Sequence, residues 1–68
     1  MNQIKYYFTN GQIWSGELHV GQAVGVESSI GLNAFEKNRI REAAKTAAFL
    51  GVDQVHFNDG AKLTVEKV

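Results

Sequence analysis

Asn10-Gly11 interrupts a stretch in which Ile4, Tyr6 and Phe8 alternate with Lys5, Tyr7 and Thr9. Alternation of period two is the mark of a strand with one buried face. Both turn residues tolerate the positive φ that a two-residue type I′ hairpin needs. A β-hairpin is therefore expected to open the chain, with its returning strand over residues 12–20. A two-residue turn sets Thr9 opposite Gln12, Phe8 opposite Ile13 and Tyr7 opposite Trp14. Continued unbroken, the same register sets Ile4 opposite Glu17, a poor core pair. A bulge at Ser15-Gly16 would shift the register by one, bring Leu18 against Ile4 and keep Val20 on that face, and a glycine inside a strand often marks such a bulge.

The helix signal is as clear as the hairpin signal. Asn33 is a good N-cap and Glu36 stands three residues on, the spacing of a capping box. Gly51 suits the left-handed position that closes a helix, and Val52 can pack back on the last turn. Between them Ile40, Ala43, Ala47 and Leu50 fall on one stripe, bordered by Phe35 and Ala44. A helix over residues 34–50 is predicted, and its small alanines imply close approach to a sheet and a thin core. Beyond it, residues 52–57 and 61–67 flank Asn58-Asp59-Gly60, a three-residue hairpin loop with glycine in the left-handed position. Val55, Phe57, Leu63 and Val65 form the inner set; Gln54, His56, Lys62, Thr64 and Glu66 face outward. Residues 21–33, with Gly21, Gly25 and Gly31, read as a connection, with a turn at Gly21-Gln22 and a short edge strand over residues 23–27. The fold class is α+β, in the order β-β-(β)-α-β-β: one small domain over residues 1–68, a mostly antiparallel sheet with one helix on one face.

Composition bounds what such a domain can do. Seven Lys and Arg balance seven Asp and Glu in 68 residues, so the basic excess of a non-specific polyanion binder is missing. With no cysteine there is no disulfide framework, thiolate metal site or cysteine nucleophile. No apolar run approaches the ~20 residues of a membrane span, and Met1 leads into a polar dipeptide in place of a signal peptide. A cytoplasmic protein without membrane association is the expectation.

The opening hairpin with Asn10-Gly11, the alanine-bearing helix, and Gly51-Val52-Asp53 leading into a second hairpin resemble the β-grasp architecture of the immunoglobulin-binding domains of protein G. The likeness covers most of the chain outside residues 21–33 and consists of hairpin and helix signals. In that family the helix face and the following strand carry polar and aromatic contacts to antibody. The comparable positions here are Ile40, Arg41, Ala44, Lys45, Ala48 and His56, which depart from that pattern. The resemblance implies architecture and carries no antibody binding.

Catalytic constellations are hard to assemble from these residues. His19 and His56 lie on different hairpins, Ser28-Ser29 has no base nearby in sequence, and residues 21–25 lack the spacing of a phosphate loop or dinucleotide fingerprint. The expectation is a non-enzymatic protein without cofactor or metal. Two surfaces are candidate partner sites. The first is the outer face of the opening hairpin, where Tyr7 and Trp14 would pair beside Lys5. Such aromatics are favoured interface anchors, although a cross-strand pair also stabilises a hairpin by itself, and residues 21–33 folding over the pair is a third reading. The second is a basic helix ridge, Lys37, Arg41 and Lys45 at successive i, i+4 positions, which reads equally as a solvated face relieved by Glu42. Phe49 is either a contact residue or a lid on the sheet edge. Together these features point to a protein-binding module, an inhibitor or adaptor that occludes a partner surface in the manner of small phage or mobile-element inhibitors. The alternatives are a single-stranded nucleic-acid binder, with Tyr7 and Trp14 stacking on bases and Lys5 and Lys62 on phosphates, and a self-associating structural protein that pairs through an edge strand.

Overall fold

A computed structural model of the chain describes residues 2–67. Its elements are β1 (Asn2–Tyr7), β2 (Ile13–His19), β3 (Gln22–Val24), α1 (Ala34–Leu50), β4 (Gln54–His56) and β5 (Lys62–Lys67). The strands form one sheet in the order β3-β2-β1-β5-β4, every neighbouring pair antiparallel, and α1 packs against it. The α+β class and the element order follow the sequence expectation, and the architecture is compatible with a β-grasp-like arrangement. Residues 21–33, which lie outside the resemblance, contribute β3. That strand adds one reversal before the helix, and the chain reaches β5 running opposite to β1.

Each end of α1 has a local cause. The Asn33 side chain accepts from the Glu36 amide at 2.8 Å, satisfying one of the helix's free N–H groups. At the other end Gly51 takes φ 70°, and the amides of Gly51 and Val52 both donate to the Ala47 carbonyl. Ile40, Ala43, Ala44 and Ala47 are buried, in a core shared with Ile4, Tyr6, Leu18, Val26, Ala61 and Leu63. Leu50 and Phe35, expected on or beside this stripe, are instead exposed. The helix contacts both edge strands, β3 and β4, and so runs across the sheet.

The first hairpin departs from expectation in a single detail with wide consequences. Its loop has three residues, Thr9, Asn10 and Gly11. The Phe8 amide donates to the Gln12 carbonyl at 2.9 Å, the Gly11 amide to the Phe8 carbonyl at 3.2 Å, and Gly11 sits at φ 90°. This is the type I turn closed by a left-handed glycine, not the two-residue type I′ turn. The second hairpin repeats it: Phe57 bonds to Ala61 and Gly60 to Phe57 in the same pattern. Asn10 and Asp59 each accept from the amide two residues on, Gln12 and Ala61, at 3.0 and 3.1 Å. Phe8 and Phe57 both meet Tyr6 edge-on, with ring centroids 4.8 and 6.0 Å away.

With the extra residue in the turn, Tyr6 faces Trp14 and Tyr7 faces Ile13. Pairing then runs unbroken through Ser15 and Gly16 to Leu18, so the predicted bulge does not form. Val20 does not continue the strand face. It forms the β2–β3 turn with Gly21, between the paired residues His19 and Gln22. Edge strands β3 and β4 are shorter than predicted, three residues each.

The helix start yields a direct test. Asn33→Ala is expected to lower stability by about 0.5–2 kcal/mol, read as a reduced denaturation midpoint with an unchanged slope. An unchanged midpoint would show that this cap contributes nothing.

Candidate functional site

The sheet divides the predicted aromatic pair between its two faces. Tyr7 stays on the face away from the helix. Trp14 shares the face of Ile4, Tyr6 and Leu18 and packs, half-buried, against the core. Its indole crosses Gly16, the next residue on that face: a Cβ placed on Gly16 would lie 2.2 Å from the ring's Cη2. The ring nitrogen donates to Ser29 Oγ at 2.8 Å, and that hydroxyl donates to the Gly25 carbonyl at 2.6 Å. Beside it Val26 is fully buried. Residues 25–29 therefore fold over the tryptophan, the third of the readings above, but over Trp14 alone. Trp14 anchors a loop and is removed from the outer surface.

What remains on the outer face is a row running across four strands: His56, Lys62, Tyr7 and Ile13, each paired with its neighbour. The Lys62 ammonium lies 5.0 Å from the centre of the Tyr7 ring. Ile13 is 55% exposed. Lys5, one row away, binds Glu66 at 3.1 Å, and that hydrogen bond holds its ammonium above the ordinary lysine range. His56 shares a hydrogen bond with Gln54, while His19 pairs with Gln22 at the far end of β2. Among the described residues no three His, Asp or Glu side chains gather as metal ligands would.

The helix ridge is also rearranged. Arg41 hydrogen-bonds Glu27 and Asn38, so its charge is matched from the loop before the helix and not by Glu42. Lys37 and Lys45 have no ionic partner among the described residues. Phe49 covers no sheet edge: it is 89% exposed.

Arg39 forms a cluster that sequence reading missed. Its guanidinium lies between the Phe35 and Phe57 rings, 4.6 and 4.5 Å from their centres, and one nitrogen reaches Tyr6 Oη at 3.2 Å and Asp59 Oδ2 at 2.7 Å. It ties the second turn of the helix to the tip of the second hairpin. Only the i, i+4 spacing of Phe35 and Arg39 was visible in advance. Their meeting with Phe57 and Asp59 is made by the fold.

No protein-family model, curated protein or solved structure matches this chain. Among the described residues no helix is long and apolar enough to cross a membrane.

Two measurements test these contacts. Gly16→Ala must displace the indole from Ser29, and about 1–3 kcal/mol of destabilisation is expected, as for other overpacked sites, with a shifted tryptophan emission. Unaltered emission and stability would place the ring elsewhere. The hydrogen bond from Arg39, with a second from the Ala61 amide, holds the Asp59 carboxyl below its ordinary range. A depressed folded-state pKa gives stability that is present above the unfolded value, about 3.9, and is lost as pH falls through the folded value. Asp59→Asn should therefore flatten the acid limb of the stability–pH curve below about pH 4. A limb identical to that of the parent would show that the pair is not linked to folding.

Proposed function

We infer that the chain is a non-enzymatic protein-binding module, an inhibitor or adaptor that covers a partner's surface with the open face of its sheet. The observation that carries this reading is the cross-strand pair of Tyr7 and Ile13 on the face that the helix leaves free. Tyr7 combines a large apolar ring with a polar hydroxyl, the combination found at interface centres. Ile13 adds exposed aliphatic surface, and Lys62 gives the rim charge. Strands spaced about 4.8 Å apart make a five-stranded face 20–25 Å across, the lateral scale of a patch that contributes about 800 Å² to a standard interface. A flat surface of this kind occludes a partner without a pocket. Lys37 and Lys45 on the helix are placed to steer association and not to anchor it.

The nucleic-acid alternative has weaker support from the same geometry. Its two-base platform needed Tyr7 and Trp14 on one face, and Lys5 is already held by Glu66.

Capture from the native cell lysate, at moderate salt and after nuclease treatment, supplies the partner for the test. Tyr7→Ala is expected to weaken its binding by at least ~2 kcal/mol, the scale of a central interface residue, with the fold intact by circular dichroism. A folded Tyr7→Ala variant that binds with unchanged affinity would remove the outer face from the interface. Loss of capture on nuclease treatment would favour nucleic acid.

A further inference from the structure

β2 runs for seven residues, but β3 pairs with only Glu17, Leu18 and His19 of them. Gly25, at φ 93°, then turns the chain off the line of β3, and Val26 drops into the core. The edge of β2 from Ile13 to Gly16 is left without a neighbouring strand.

The closing bond of the first hairpin fixes which main-chain groups point toward that edge. The Phe8 amide donates to the Gln12 carbonyl across the hairpin. Antiparallel pairs alternate between bonded and non-bonded, so Trp14 and Gly16 bond to Tyr6 and Ile4 of β1. Ile13 and Ser15 turn their amides and carbonyls to the edge, as Glu17 and His19 do toward β3. Among the described residues none of these four groups on Ile13 and Ser15 has a hydrogen-bond partner, and both residues are exposed. Donors and acceptors repeating at every second residue form a template for one more strand.

Beside this edge lies a hollow of ≈ 420 Å³, between the first hairpin and the loop before the helix. Phe8, Trp14, Ile30 and Leu32 bring apolar side chains to it, and Ile30 is 99% exposed. The Trp14 ring nitrogen is already bonded to Ser29, so the polar part of the wall is main chain and the Gln12 amide. A residue of an added strand that stands opposite Trp14 shares its face and turns into this hollow.

We propose that the free edge of β2 takes an extended peptide of another protein as a sixth, antiparallel strand in line with β3, with an apolar residue of that peptide seated opposite Trp14. In strand addition of this kind main-chain bonds supply affinity, and a pocket for alternate side chains supplies selectivity. Both stand side by side here. Four residues at about 3.4 Å each give a site about 14 Å long, bounded by Val24 at one end and by the hairpin turn at the other. A second copy of the chain fits it badly. The antiparallel register that matches the free groups sets Ile13 of each copy opposite Ser15 of the other. It also brings each Gly11 against Glu17 of the other copy, where Val24 already sits. The site lies on the sheet edge and does not rest on the open-face reading, because its test uses a defined peptide and not a captured partner.

The probe is acetyl-Thr-Thr-Leu-Thr-Thr-amide, whose leucine faces Trp14 when a threonine stands opposite each of Ile13 and Ser15. Titrated to about 5 mM into the isotope-labelled full chain and followed by amide NMR, it is expected to saturate with a dissociation constant on the order of 1 mM or below. The Ile13 and Ser15 amides should move downfield, and the Trp14 indole signal should shift with them. Replacing the leucine by aspartate, or N-methylating the two threonines that flank it, should weaken binding at least tenfold. Ser15→Pro removes one edge donor and leaves the β1–β2 bonds in place, so it should keep the fold by circular dichroism and lose the shifts. The N-methylated peptide makes the same test on the parent chain, independently of how that variant folds. Absence of shifts at the highest concentration overturns the proposal, and so does an N-methylated peptide that binds as tightly as the original. Shifts confined to the Gln54 and His56 amides would place the added strand on β4 and overturn it too. A chain that dimerises before any peptide is added, with the Ile13 and Ser15 amides protected from exchange, assigns the edge to a second copy and equally overturns it.

Discussion

Gly11 adopts φ 90° and lets the chain use three residues, not two, to reverse between β1 and β2. Side chains alternate along a strand with a period of two, so one residue in the turn decides the face of every residue that follows. With the longer turn, Trp14 and Leu18 point to the helix, and Ile13, Glu17 and His19 point away. The turn is held on both sides: Asn10 closes it through the Gln12 amide, and Phe8 packs edge-on against buried Tyr6.

From that parity the middle of the chain acquires its structure. Trp14 inside the fold needs room and a hydrogen-bond acceptor for its indole nitrogen. Gly16 supplies the room, and Ser29 supplies the acceptor from a segment distant in sequence. A buried ring nitrogen without an acceptor costs about 1–3 kcal/mol, so the tryptophan and residues 25–29 order each other. Val26 drops into the core as the segment crosses, and β3 precedes it along the edge of β2. The antiparallel pairing of the terminal strands follows from this additional strand. A residue that the opposite parity would have left in solvent is what holds residues 25–29 against the fold.

The helix, its caps, the inner sets of β1 and β5 and the three-residue second loop were all legible, because each is written in residues near one another in sequence. The first loop was equally local but ambiguous. Asn-Gly serves a two-residue turn and a three-residue one, and the clue that decides between them is comparative: Phe8-Thr9-Asn10-Gly11 matches Phe57-Asn58-Asp59-Gly60. The predicted bulge at Gly16 sought the correct parity for Leu18 and obtained it in the wrong place. The shift occurs before Ile13, and so Ile13 and Trp14 exchanged faces while Leu18 did not. Arg39 was beyond reach for a different reason, since its partners Tyr6, Phe57 and Asp59 come from both terminal hairpins. Arg41 was read with its helix neighbour Glu42 when its charge partner was Glu27, in a loop whose path only the tryptophan explains.

The distribution of apolar residues separates what the fold needs from what it does not. The helix meets the sheet through Ile40 and three alanines, a stripe that allows close approach but buries little area per residue. A domain of this size has a small margin of stability, and its larger side chains would stabilise it most inside. Yet Phe49 and Val20 stand almost wholly in water, the latter on a strained turn, while Ile13 remains on the open sheet face. None of the three positions is apolar because the core requires it, since the core closes without them. At Val20 the fold would be served better by glycine. The buried set therefore accounts for the architecture, and the exposed set, Ile30 in the loop before the helix included, lies outside what the fold requires.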